Sequence, residues 1–233
     1  MEFDEFLVSR VQQDSGNPVL RLYGWNPPAI SIGYHEPEND FNLTLLRNDG
    51  VEIVRRPTGG RAILHNNELT YSVILCSDGR GVRSVYRSIN LGILRGLTLL
   101  GIAATLTDAG DDLRSVYRDP ALIPCFAASA KSEIQFEGKK LVGSAQRRFQ
   151  RVILQQGSIL LGPQHRNIVR YLSAGSELQT HILEEVLDAK TADAESILGR
   201  SIPFEQAADA IKKGFELEHG IVFVEDHSLY VPA

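Results

Sequence analysis

The sequence predicts an α+β fold: a mainly antiparallel mixed sheet with helices packed on it. Two observations carry this prediction. The first half of the chain holds closely spaced segments that alternate apolar and polar with period two, and beyond Pro163 the apolar pattern turns helical. Strands and helices therefore come in blocks rather than in strict alternation. The 233 residues contain no low-complexity tract, no long Pro/Gly/Ser linker and no internal repeat, so one domain over 1–233 is expected.

Taken in order, Leu20–Tyr23 and Ala29–Tyr34 read as strands on either side of a Trp25-Asn26-Pro27-Pro28 turn, whose prolines cannot donate to a sheet. Val51–Arg55, Arg61–His65 and Thr70–Leu75 follow, separated by Pro57-Thr58-Gly59-Gly60 and Asn66-Asn67. Turns this short leave no room for a crossover, so these segments are expected to pair antiparallel. A helix fits Ser84–Leu100, with Val85, Ile89, Ile93, Leu97 and Leu100 on one stripe and Gly101 as its C-cap. Glu133–Phe136 and Lys139–Arg147 form a hairpin around Glu137-Gly138, and Val152–Leu161 is another long strand. His165–Leu172, Leu178–Leu187 and Phe204–Phe215 read as helices, the last carrying Phe204, Ala208, Ile211 and Phe215 on one face.

Composition excludes several classes. A formal net charge of −5 argues against general nucleic-acid binding, which needs a basic footprint. No apolar run has membrane-spanning length, and no signal pattern opens the chain. Two cysteines, Cys76 and Cys125, make no disulfide framework, and a reducing cytoplasm is the simplest compartment. The six histidines are scattered, so no metal site is legible.

Three constellations carry chemistry. The first is Arg55-Arg56-Pro57-Thr58-Gly59-Gly60-Arg61 through His65, leading into Glu68-Leu69-Thr70-Tyr71-Ser72. Gly59 and Gly60 can bring backbone N–H groups close to a ligand, and the flanking arginines add charged donors. The competing reading is a tight turn with solvated arginines. His65 by itself reads more readily as a hydrogen-bonded structural histidine than as a base. The second is the hairpin strand on which Lys140 leads into Gly143-Ser144-Ala145, small residues over which a ligand can lie. A lysine there can polarise a carbonyl or neutralise an oxyanion; an exposed edge lysine is the alternative. Alternation places Lys140 and Val142 on one face and Lys139 and Leu141 on the other. Lys139, Lys140, Arg147, Arg148 and Arg151, uninterrupted by any acid, form a candidate docking patch for an acidic partner, or else a solvated strand edge. The third is Cys125, fifteen residues before Lys140 and just after Pro124. A free cysteine is most often a small buried hydrophobe, but a nearby cation favours the nucleophilic thiolate. Cys76, at the end of a strand, needs no role beyond packing.

These motifs, in this order, resemble the lipoyl-attachment enzymes of the lipoate–protein ligase and octanoyltransferase superfamily. Arg55–Arg61, Leu64-His65 and Glu68–Ser72 look like its ligand-loop signature, and Gly138–Arg147 like its lysine motif. Leu154–Leu161, Tyr23-Gly24-Trp25-Asn26-Pro27 and Ser31–Tyr34 resemble its later and early strands. The resemblance implies the fold of biotin/lipoate ligases and class II aminoacyl-tRNA synthetases, as one catalytic domain shortened at both ends. Cys125-Phe126, and Arg61 where ligases have a third glycine, resemble the octanoyl-[acyl-carrier protein]:protein N-octanoyltransferases. Asn66, Gln156 and Ala127-Ala128 depart from the family pattern, and Met1–Glu5 stands where its first helix is already under way.

The resemblance further implies that Cys125 and Lys140 are catalytic. It makes Arg56, Gly59, Gly60, Arg61, His65, Gly143, Ser144 and Ala145 substrate-binding residues. The donor would be octanoyl-acyl-carrier protein, and the acceptor a lipoyl domain or the glycine-cleavage H protein, with neither nucleic acid nor membrane as partner. No cofactor or metal is expected for transfer. An apolar slot for the acyl chain would draw on Val54, Ile63, Val73 or Val142. Two alternatives stand beside this: an ATP- and Mg²⁺-dependent lipoate–protein ligase, in which Cys125 is incidental, and a non-catalytic module that binds lipoyl domains or acyl ligands.

Overall fold

The computed structural model describes residues 1–13, 16–107, 133–173 and 177–226. Cys125 and the residues around it lie outside these. The described chain holds two sheets. The larger has the order β1-β5-β9-β8-β7-β6, built from Val19–Tyr23, Glu68–Cys76, Val152–Leu160, Lys139–Phe149, Ile134–Phe136 and Thr105–Leu106, and its pairings are all antiparallel. The smaller has the order β3-β2-β4, from Glu52–Arg55, Ala29–Ile32 and Ile63–His65.

The predicted strands are present, but their pairing differs from expectation. β3, β4 and β5 are consecutive, yet none pairs with the next: β3 and β4 flank β2, and β5 belongs to the other sheet. β2 and β3 run parallel, Ile30 opposite Ile53. The crossover between them contains a short helix, α2 (Leu43–Asn48), that no apolar periodicity announced. Its start is set by Asn42, whose side chain accepts from Leu45 N. The Pro57–Arg61 turn is thus an arch between non-adjacent strands rather than a hairpin.

Helix α1 (Glu2–Gln13) buries Leu7, Val8 and Val11 against Ile74, Val152 and Leu154 on one face of the large sheet. On the opposite face lies α3 (Val82–Leu99), crossed by α6 (Phe204–His219). Their backbones meet at glycines: a Cβ on Gly214 would sit 2.6 Å from the Gly92 carbonyl and from Gly96 Cα. α3 ends as predicted at Gly101, which takes φ +88 and donates to Thr98. Between them in the chain come α4 (Glu177–Lys190) and the short α5 (Ala194–Leu198), the latter capped by Asp193. The segment expected as a helix at His165–Leu172 is a 3-10 helix over Pro163–Tyr171. No helix among the described residues is long and apolar enough to cross a membrane.

Candidate active site

The small sheet lies against the same face of the large sheet as α1. Trp25 Nε1 donates to Thr70 Oγ1 at 2.8 Å, and Thr58 Oγ1 donates to Gln156 Oε1 at 3.1 Å. Between the sheets is a pocket enclosing about 370 Å³ with its mouth included, and its wall is predominantly apolar. Ser31, Arg56, Thr58, Ile63 and His65 line it from the small sheet and its arch; Thr70, Gly143, Ser144, Ala145, Gln156 and Gly157 line it from the large one. Tyr23 and Met1 complete it. Of the four apolar residues considered for an acyl slot, Ile63 is among these.

The arch is held by its own arginine. Arg56 is 4% exposed, and its guanidinium donates to the carbonyls of Ser31, Gly59 and Arg61 and to Ser31 Oγ, at 2.6–3.2 Å. Much of the donor capacity expected to face a ligand therefore organises the loop. Arg55 is likewise engaged, with Gly33, Tyr34 and Glu36 carbonyls. From the large sheet, Arg147 Nη1 donates to the Pro57 carbonyl at 2.7 Å while its guanidinium lies 4.6 Å from the Tyr34 ring centre. Gly60 takes φ +96, a conformation glycine adopts without cost, and its carbonyl presses against Gly33. A Cβ at Gly33 would be driven into the Gly60 carbonyl oxygen. Gly33→Ala is expected to destabilise the protein by about 1–3 kcal/mol as the arch is displaced. Urea melts check the loss, and a lowered kcat/KM is the accompanying result.

His65 is buried and both of its ring nitrogens are engaged. Nδ1 lies 2.6 Å from Glu68 Oε1 and Nε2 2.7 Å from Ser31 Oγ, while the ring stacks on Trp25 with 4.5 Å between centres. Ser31 Oγ also accepts from Arg56. His65 is in this way a fixed wall of the pocket. Glu68 also accepts from the Thr70 hydroxyl.

The floor is set by glycines and a buried phenol. Tyr71 lies across Gly157, where a Cβ would be 2.6 Å from the Gly143 carbonyl and 2.7 Å from Tyr71 Cζ. Gln155 Nε2 donates to the Tyr71 oxygen at 2.9 Å, and the Tyr71 and Ser144 hydroxyls are 2.6 Å apart. Burial pushes the Tyr71 pKa up, so the phenol keeps its proton. Gln156, whose amide also donates to Asp4, ties the floor to α1. Asp4 is wholly buried and accepts from Arg21 and Ser72 as well, both at 2.8 Å.

Lys140 is 4% exposed, and its Nζ donates to Glu133 Oε1 at 2.9 Å; Glu133 is 3% exposed. Lys139 is exposed and donates to the Asp188 carbonyl. The facing of the two lysines departs from strict alternation. Ile134 pairs with Val142 but Gln135 with Lys140, so Leu141 is an extra residue, a β-bulge. Cross-strand partners share a face, and Ile134 and Gln135 point opposite ways. Lys140 and Val142 therefore face opposite sides, which puts Lys140 on the side of Gly143 and Ala145, the side that bears the pocket. The Lys140 main chain is also pinned, its carbonyl accepting from Ala192 N at 3.0 Å.

Of the expected residues, Arg56, His65, Gly143, Ser144 and Ala145 thus come together around one pocket. Gly59, Gly60 and Arg61 form the arch above it, and Lys140 lies on the neighbouring stretch of β8. The basic run does not form one patch. Lys140 is buried and paired, Lys139 sits at the far end of β8, Arg147 braces the arch, and Arg148 and Arg151 alone remain at the opposite tip. Reading the sequence missed Asp4, Ser31 and Glu133. Asp4 and Ser31 meet partners distant in sequence, whereas Glu133 meets Lys140 seven residues on, a separation that strand periodicity does not mark.

The comparisons fit this architecture. The profile of the Lipoyl protein ligase A/B catalytic domain matches residues 1–216. The chain belongs to this family. An octanoyltransferase LipM from Symbiobacterium thermophilum is 38% identical over 224 residues, covering 95% of this chain and 82% of that protein. One from Geobacillus kaustophilus is 36% identical over 228 residues, with the same two shares, 95% and 82%. Among solved structures, the bi-partite lipoate protein ligase of Thermoplasma acidophilum superposes with a TM-score of 0.78 at 21% identity, covering 96% of this chain and 79% of its own. A lipoate-protein ligase A bound with ATP gives 0.76 at 23% identity, with shares of 96% and 81%. These two show that the fold is shared.

Proposed function

We propose that this member of the family is an acyltransferase of protein lipoylation. It moves an octanoyl group from acyl-carrier protein to a lysine of a lipoyl domain, in a reducing cytoplasm and without ATP or metal. The similarity to enzymes named octanoyltransferase LipM, over nine-tenths of the chain, carries the reading. The predominantly apolar pocket beside a buried lysine supports it.

In this mechanism the Cys125 thiolate attacks the donor thioester. A new C–S bond forms, the carrier's C–S bond breaks, and the carrier thiolate leaves and is protonated. The acceptor amine then attacks the acyl-enzyme; a C–N bond forms, the Cys125 C–S bond breaks, and the amine proton returns to sulfur. Lys140 favours the thiolate and handles the proton of the second step. Backbone N–H groups near Gly59-Gly60 or Gly143 are the candidate oxyanion donors. Exchange between thioesters is nearly isoenergetic and amide formation is downhill, so no nucleotide is needed.

Intact-mass analysis after mixing with octanoyl-carrier protein, ATP absent, is expected to show one octanoyl adduct, mapped to Cys125. An unmodified protein that instead transfers lipoate only with ATP and Mg²⁺ would make it a ligase. Binding of a lipoyl domain without turnover in either assay would make it a binding module.

A further inference from the structure

Two long stretches of this acidic chain contain no acidic residue, 79–107 and 138–176. The fold brings the start of the first against the β8–β9 turn inside the second. Ser77, in the turn between β5 and α3, donates from its backbone to the Arg151 carbonyl at 2.8 Å and receives Arg148 Nη2 on its hydroxyl at 3.5 Å. Its carbonyl accepts from Arg80 N at 2.8 Å. Arg80, Arg83, Arg87, Arg148 and Arg151 are all exposed, and among the described residues none of the five forms an ion pair with a carboxylate. Asp78 is the one acid in the turn. Arg83 also stands in the first turn of α3, which has no acid, where a cation works against the helix dipole. Arg148 and Arg151 also bond the Gln150 and Gln12 carbonyls, and in a protein of net charge −5 the concentration of positive charge is local.

We propose that this arginine surface docks the acyl donor, an acidic carrier protein that presents its thioester on a flexible arm. The inference rests on the transferase reading above. Charge selects an acidic partner. Distance selects the donor over the acceptor. Arg148 is five residues along β8 from Gly143 in the pocket, roughly 17 Å of extended chain. An acceptor lysine on its four-carbon stem must dock at the pocket mouth itself, whereas a tethered acyl group reaches it from a distance.

The test compares the full chain with R80E/R83E/R148E, using octanoyl-carrier protein and octanoyl-pantetheine as alternative donors to one lipoyl domain. The variant is expected to raise KM for the carrier-borne donor about tenfold or more, as steering is lost. KM for octanoyl-pantetheine stays unchanged, which also shows that the variant is folded. Added salt is expected to weaken the wild type toward the variant with the carrier-borne donor alone. Equal KM values for carrier protein in the two proteins would overturn the assignment. So would a rise confined to the lipoyl domain, or binding of single-stranded RNA that the variant loses. Calorimetric titration with the carrier protein reads the surface without turnover. A wild type that binds the carrier yet transfers from neither donor keeps the surface and refutes the transferase reading.

Discussion

Cys125→Ser is expected to lower octanoyl transfer from carrier protein by on the order of 10⁴-fold or more and to abolish the acyl adduct. A serine hydroxyl at neutral pH lacks the thiolate population that the first step requires. Any ester it formed would be a poorer donor to the acceptor amine than a thioester. Binding of the acyl chain should be nearly unchanged, because the pocket residues are untouched. Single-turnover kinetics with radiolabelled donor, beside a binding titration, separate the two effects. Full transfer by the serine variant would remove the covalent mechanism and reopen the ligase reading.

Lys140→Met is expected to reduce transfer by roughly 10²–10⁴-fold and to destabilise the fold by about 3–5 kcal/mol. The second effect arises because Glu133 is left in the interior without its counter-charge. Its Oε2 already has no hydrogen-bond partner among the described residues, so it depends on the lysine at Oε1. A companion variant separates stability from chemistry. Replacing both members by apolar residues, K140M/E133L, removes the orphaned charge and should recover most of the stability while leaving transfer low. Denaturant midpoints and kcat read the two outcomes independently. If the double variant regained activity along with stability, Lys140 would be a packing residue.

The sequence disclosed the parts of this molecule that depend on local pattern. Period-two runs placed β1, β5, β8 and β9, and the Val85–Leu97 stripe placed α3. His65 and Gly143–Ala145, singled out in separate motifs, line one pocket, where they are neighbours only through the two sheets that their strands enter. Three things were hidden. The pairing of β2 between β3 and β4 depends on a crossover whose helix is six residues long, too short for an amphipathic signal. The partners Asp4–Gln156 and Ser31–His65 are separated by 152 and 34 residues. Nothing in residue type says that a surface-helix aspartate turns inward or that Arg56 bonds its own loop. The facing of Lys140 was misread because alternation assumes one residue for one across a ladder, and Leu141 breaks that count.

That extra residue makes strand length a chemical variable. In a ladder of strict alternation, Lys140 would share the side of Val142, which packs in the apolar core with Ile159 and Tyr71 toward α3. One inserted residue exchanges the two sides without altering the identity of any side chain. The glycine-serine floor beyond the bulge and the hairpin before it are then free to keep separate phases. The floor follows β9, and the lysine follows β7 and its glutamate. Counting residues between Gly138 and Gly143 is consequently as informative about whether a relative can use its lysine as asking whether the lysine is present.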